Sequence, residues 1–194
     1  MIKNYKDYKY YLLCDKEALG IPKNKKPHLF GNYIWKYLIY LRREEYLINC
    51  KPLMWKIRKK ILSIIRMRLG LKLGGMEIPV NVFEEGLAIV HCGYIVINGN
   101  AKVGKYCRLQ EGVTIGATNG EENAPIIGDF CFCGSGAKII GDIKLGDNVC
   151  VGAGAVVVSD VGSNVTIGGV PAKILSFNSS INNLPNNIRK KMIL

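Results

Sequence analysis

The chain has 194 residues, with 27 Lys/Arg against 15 Asp/Glu and a formal net charge of +12, which is enough for one ordinary domain with an appendage. It opens MIKNYKDYKY without the apolar stretch of a leader peptide, and no apolar run approaches the ~20 residues that cross a bilayer. A secreted or membrane-spanning protein is therefore not expected; a cytoplasmic one is, with or without peripheral membrane contact.

The charge is segregated. Residues 1–75 hold 18 basic and 5 acidic residues, whereas residues 76–194 hold 9 and 10. Residues 1–75 read as a basic α-helical arm, with breaks at Gly20-Ile21-Pro22, around Pro27 and at Pro52. The segment Tyr33 to Tyr46 mixes Trp35, Leu38, Ile39 and Leu41 with Lys36, Arg42 and Arg43. The segment Leu53 to Leu69 sets Met54, Ile57, Ile61, Ile64 and Ile65 on one side, flanked by Lys56, Lys59, Lys60, Ser63 and Arg66, an amphipathic helical pattern. Gly70, Gly74 and Gly75 close the helical region.

A period of six then takes over. Stepping by six from Ile97 gives Val103, Leu109 and Ile115 and, after one missed step, Ile127, Cys133, Ile139, Leu145, Val151 and Val157. Such a period fits neither a helix nor simple strand alternation. It is the mark of a parallel β-helix, whose short strands stack coil upon coil with the aliphatic residue inward. Glycine often follows the inward residue (Gly104, Gly116, Gly128, Gly134, Gly146, Gly152), which suggests tight turns of positive φ. The missed step falls on Glu121 inside Ala117–Pro125, a polar stretch expected to leave the coil as a loop. Residues 76–175 are thus read as the β-helix, and 176–194 as a polar linker with a short basic-apolar tail.

The seven cysteines, an odd number, read as small buried hydrophobes of a reduced protein. No CxxC pair or histidine cluster accompanies them, so no metal is expected. Three zinc histidines, as in a β-helical carbonic anhydrase, are excluded because the chain has only His28 and His91. His28, within PKNKKPH, reads as a solvated loop residue. For His91, spacing alone leaves a coil-capping role and a catalytic role equally open.

The motifs GLAIVHCGYIVINGNAKVG, LQEGVTIGA, APIIGD, GSGAKIIGDIKLGDNVCVGAGAVV and GGVPAKI resemble those of the hexapeptide-repeat acyltransferases. The likeness is to the serine acetyltransferase-like branch, which includes O-acetyltransferases of capsule, O-antigen and exopolysaccharide. It implies a left-handed β-helix, a homotrimer, and acetyl-CoA in a cleft between subunits. It places His91 at the catalytic histidine, a base able to take a hydroxyl proton near neutral pH, and Glu77 as the acid that orients it. It assigns acetyl-CoA contacts to Ser135, Gly136, Ala153, Gly154 and Lys173, with Ser159 a weaker candidate. Cys92 invites an acyl-enzyme reading, but neighbouring side chains on an extended segment diverge.

Where the serine enzymes carry a second histidine, this chain has Ala124, which points away from L-serine and toward a glycan hydroxyl as acceptor. The resulting expectation is an O-acetyltransferase of surface polysaccharide. Its rivals are a serine O-acetyltransferase of cysteine synthesis and a non-catalytic β-helix scaffold. For the basic arm three readings stay open: a solvated surface of helices that pack on the trimer, contact with an anionic membrane through residues 53–72, and nucleic-acid binding, which no recognition fold supports.

Overall fold

The computed structural model describes all residues except 23, 28, 29, 52–54, 119, 121, 193 and 194. His28, Leu53, Met54, the break at Pro52 and the missed step at Glu121 lie outside the described residues. Three helices come first: α1 (Tyr5–Ala18), α2 (Tyr33–Cys50) and α3 (Lys56–Lys72). The Asn4 side chain caps α1 by accepting from the Asp7 amide at 2.9 Å, which satisfies one of the open donors of the first turn. The third helix runs through Gly70 before Gly74 and Gly75, both at positive φ, turn the chain.

The chain then winds into a left-handed parallel β-helix of three faces. The first face stacks β1 (Met76–Glu77), β3 (Ile95–Ile97), β6 (Thr114–Gly116), β9 (Lys138–Ile140) and β12 (Val156–Val157). The second holds β4 (Lys102–Val103), β7 (Ile126–Ile127) and β10 (Lys144–Leu145), extended by bridges at Phe83 and Val161. The third holds β2 (Ala88–Ile89), β5 (Arg108–Leu109), β8 (Phe132–Cys133), β11 (Cys150–Val151) and β13 (Thr166–Gly169). It is closed by the antiparallel β14 (Ala172–Ser176). Every residue of the six-residue series from Ile97 to Val157 is buried. Each stacks on its counterpart, as in Leu109 on Cys133 and Ile115 on Ile139. Removing such an aliphatic side chain from water is worth about 1.5–3 kcal/mol.

The register shows where the rhythm is interrupted. Val96 pairs with Thr114, but Thr114 pairs with Lys138, and Lys102 with Ile126, one six-residue step further along the chain. The additional step falls between β6 and β7, on the turn from the first face to the second.

The glycines that follow the inward residues serve a different purpose from the one expected. Gly104, Gly128, Gly134, Gly146 and Gly152 do not take positive φ. A Cβ on Gly128 would lie 2.7 Å from the Gly146 backbone, and one on Gly134 would lie 2.7 Å from the Ala153 nitrogen. Close approach of successive coils excludes a side chain there. Positive φ falls instead at Gly112, Gly136 and Gly154, on the turn between the third and first faces.

The arm is fastened to the first coil by a buried guanidinium. Arg42 is 0 % exposed. Its Nε and Nη2 donate to Asp15 at 2.8 and 3.1 Å. Its Nη1 donates to Glu45 at 3.0 Å and to the Phe83 carbonyl at 2.8 Å, and Nη2 to the Glu84 carbonyl at 2.7 Å. Asp15 also accepts from the Gly86 and Leu87 amides, both at 2.9 Å. Arg42, one of the cations of the basic arm, and Glu85 are both buried, Glu85 within 3.5 Å of Lys105. The segment after β14 is likewise no free linker. A 3-10 turn (Ser180–Asn183) and α4 (Asn186–Met192) bury Leu184 and Ile188 against Cys14, Ala18, Ala88 and Tyr106.

Replacing Arg42 with Ala strands two buried carboxylates and is expected to cost about 3–5 kcal/mol. Urea unfolding followed by circular dichroism measures it, and a loss below about 1 kcal/mol contradicts the linking role.

Candidate active site

The turn from the third to the first face repeats down the prism, and one of its copies is longer. From inward residue to inward residue the regular turn takes six positions, as from Leu109 to Ile115 or Cys133 to Ile139. From Ile89 to Ile97 it takes eight. The two additional residues lie in the stretch His91-Cys92-Gly93-Tyr94, and they set His91 on an exposed corner.

Registers then fix what lies beside it. Ile89 pairs with Leu109, Leu109 with Cys133 and Cys133 with Val151. Two positions on, His91, Glu111, Ser135 and Ala153 therefore follow one another along a single edge, about 4.8 Å per coil. Gly136 and Gly154 stand next in the same turns, with φ of 73° and 67°. The coils are tied along this edge, as Gly112 donates to Tyr94, Gly136 to Glu111 and Gly154 to Ser135, each at 2.8 Å. Ser135 donates from its amide and its hydroxyl to Gln110 Oε1, at 3.0 and 2.9 Å. Lys173 pairs with Gly168, one residue beyond the carbonyl to which Gly152 donates, at the far end of the same edge.

The fold thus brings together His91, Ser135, Gly136, Ala153 and Gly154, with Lys173 at the end of the row. Two expected site residues stand elsewhere. Ser159 is exposed on the turn between the first and second faces. Glu77 is exposed on the first face, paired with Val96. It forms no hydrogen bond or ion pair with His91 among the described residues and lines a separate hollow with Tyr37, Arg66 and Met67.

One acidic residue of the edge escapes the sequence reading. Glu111 sits one coil from His91, and its Oε2 is buried without a hydrogen-bond partner among the described residues. The nearness of the Ser135 hydroxyl, then its own amide and the charge of His91, hold this carboxyl below the usual carboxylate range. Gly93 faces it so closely that a Cβ there would lie 2.6 Å from Glu111 Cβ. The available cue was the inward position of Ile89, which puts residue 111 in step with 91. Lys138 also reaches the edge, donating to Gly112 O at 2.6 Å, Thr114 at 3.0 Å and Tyr94 at 3.2 Å.

A cleft of about 540 Å³ between arm and coil is walled by Tyr33, Trp35, Ile89, Val90, Cys92 and Arg108. Cys92 is in its wall and the imidazole is not. No cluster of three or more metal-ligating side chains occurs among the described residues.

A family model described as bacterial transferase hexapeptide (six repeats) matches residues 124–159. The serine acetyltransferase of Synechococcus elongatus is 36% identical over 126 residues, which is 62% of this chain and 52% of the relative. Serine acetyltransferase 4 of Arabidopsis thaliana is 32% identical over 141 residues, 71% of this chain and 39% of the relative. The chain spans about half the length, or less, of these curated relatives. Among solved structures, the serine acetyltransferase of Brucella abortus in complex with coenzyme A superposes with a TM-score of 0.72 at 23% identity. That match covers 90% of this chain and 70% of that one. The Neisseria gonorrhoeae enzyme gives 0.70 at 25%, covering 89% and 68%. By its repeats, its motifs and these likenesses the chain is similar to the hexapeptide-repeat transferases, and among them to serine acetyltransferases.

These relatives overturn the expectation of a polysaccharide acceptor, since the names they carry are those of serine acetyltransferases. The physical reason is one of place. Ala124 is buried in the turn between the first and second faces, whereas His91 lies on the turn between the third and the first. Within the chain the substituted position does not adjoin the imidazole, and it says little about what that imidazole serves.

Gly93→Ala forces the new methyl against Glu111 and is expected to cost about 1–3 kcal/mol as an overpacked contact. Glu111→Gly in the same protein, which removes the Cβ that is struck, recovers part of it. A double-mutant cycle in urea measures the coupling, and strict additivity contradicts the contact.

Proposed function

We propose that the protein is an acetyl-CoA-dependent O-acetyltransferase whose acceptor is L-serine. The observation that carries the reading is the single edge on which His91 stands in line with Glu111, Ser135-Gly136 and Ala153-Gly154. The names of the relatives support serine as the acceptor and acetyl-CoA as the donor.

The alcohol is a weak nucleophile, and His91 takes its proton as the new C–O bond forms, a contribution of about 10²–10⁴ in rate. The proton then passes to the departing thiolate. The donor contributes an activated thioester. Small residues at 136, 153 and 154 leave room for its extended arm; a Cβ at Gly154 would meet no atom within 4 Å. Lys173 answers a phosphate as a point charge. Backbone N–H groups of the glycine turns are the available donors for the oxygen that becomes negative. Glu111, one coil from His91 and with an Oε2 that no described residue bonds, is the positioning residue for the imidazole when substrate is bound. A trimer belongs to the same reading, because the edge is open on its outer side.

Release of the coenzyme A thiol in the presence of L-serine tests the acceptor. No turnover with serine by protein that binds acetyl-CoA overturns it. His91→Ala is expected to lower the rate at least about 10²-fold while acetyl-CoA binding and oligomeric mass persist. Unchanged transfer removes His91 from the mechanism and leaves a scaffold as the better reading.

Glu111→Gln is expected to lower kcat while acetyl-CoA binding persists, and Glu77→Gln to leave kcat unchanged. The opposite pattern reassigns the positioning role to Glu77.

A further inference from the structure

Helix α3 has two apolar faces, and only one of them meets the protein. Leu62, Gly70 and the following Leu73 are buried, and Arg66 turns inward to Glu44 at 2.6 Å and the Ile78 carbonyl at 2.7 Å. The isoleucines that the sequence sets on one side are not the packing side. Ile57 is 74 % exposed, Ile61 51 %, Ile64 38 % and Leu71 68 %. Successive spacings of four, three and seven keep them on one outward line, with Ile65 and Met67 beside it, also exposed. The docking of Leu62 and Arg66 against α2 fixes the rotation of the helix and leaves this stripe facing solvent.

The charge of the helix says what covers the stripe. Lys56, Arg58, Lys59, Lys60, Arg66, Arg68 and Lys72 stand on α3, and no acidic residue does. Arg68 falls on the outward line itself, between Ile64 and Leu71. A second copy laid on this face sets cations against cations with no carboxylate on either helix to answer them. At the start of the helix Trp55 is partly exposed, with Arg58 4.4 Å and Lys51 6.0 Å from its ring. An amphipathic aromatic ring among cations suits the boundary between headgroups and acyl chains. No helix among the described residues is long and apolar enough to cross a membrane, so the geometry is that of a helix lying in the interface.

We infer that the outward face of α3 is a peripheral docking surface for anionic phospholipid. Ile57, Ile61, Ile64 and Leu71 enter the acyl boundary, and Lys60, Arg68 and Lys72 meet phosphate. The inference is independent of the acceptor and of the acetyl-transfer chemistry.

The test is flotation of the full chain with vesicles of phosphatidylcholine alone and of phosphatidylcholine mixed with phosphatidylglycerol, at low and high salt. Binding to the mixed vesicles is expected to exceed that to the neutral ones by about tenfold or more, and to weaken with salt. Ile61→Ser with Leu71→Ser, both at exposed positions, is expected to abolish flotation without changing the circular dichroism or the mass in solution. Lys60→Glu with Arg68→Glu does the same through charge. Absence of flotation, equal binding to neutral vesicles, or unchanged binding by the serine variant overturns the inference. A fall in oligomeric mass in that variant also overturns it, and assigns the stripe to contact between copies.

Discussion

A guanidinium sealed from water holds this molecule together. Arg42 reaches α1 through Asp15, its own helix through Glu45, and the first coil through the carbonyls of Phe83 and Glu84. Its planar set of five N–H donors fits such a fork of acceptors where the point charge of lysine does not. Burial pushes the Asp15 carboxyl upward, opposed by Arg42 and by the Gly86 and Leu87 amides. A buried pair of this kind is weak as a net stabiliser, but the loss of either member is severe. Its consequence is orientation: α1 and α2 sit in one place on the first coil, and that coil is the one that presents His91.

The rest of the prism is repetitive, and repetition is what the sequence displays most openly. Stacked side chains of one type recur at one spacing, so the series from Ile97 to Val157 could be read without knowledge of any contact. Departures from the repeat were legible for the same reason. The missed step marks additional chain between Ile115 and Ile127, and the register from Thr114 to Lys138 is longer by that one step. The histidine corner is the second departure, and its two added residues are visible once Ile89 is recognised as inward.

What stayed hidden depends on partners remote in sequence. Nothing in the run of charges around Arg42 separates it from its solvated neighbour Arg43, since Asp15 and the Phe83 carbonyl supply the difference. The rotation of α3 was hidden in the same way, because two apolar stripes compete and packing against α2 selects the leaner one. Glu111 reads as an ordinary turn residue until the coils are set in register. Ala124 misled for the opposite reason, as a motif position was given weight before its place on the prism was known.

The α4 segment, packed on α1, bears on how the chain comes to fold. Lys191 meets Glu17 at 2.6 Å and Asn187 meets the Glu17 carbonyl at 3.0 Å, contacts that enclose nearly the whole sequence. Coils stacking on their neighbours form by local steps, while a contact of such range waits for loop closure. As a ribosome extends the chain, α1 must therefore stand with one flank bare until the last coil has been made. The clasp is a late event, and shielding that flank in the meantime is a burden on the young chain that the finished fold no longer shows.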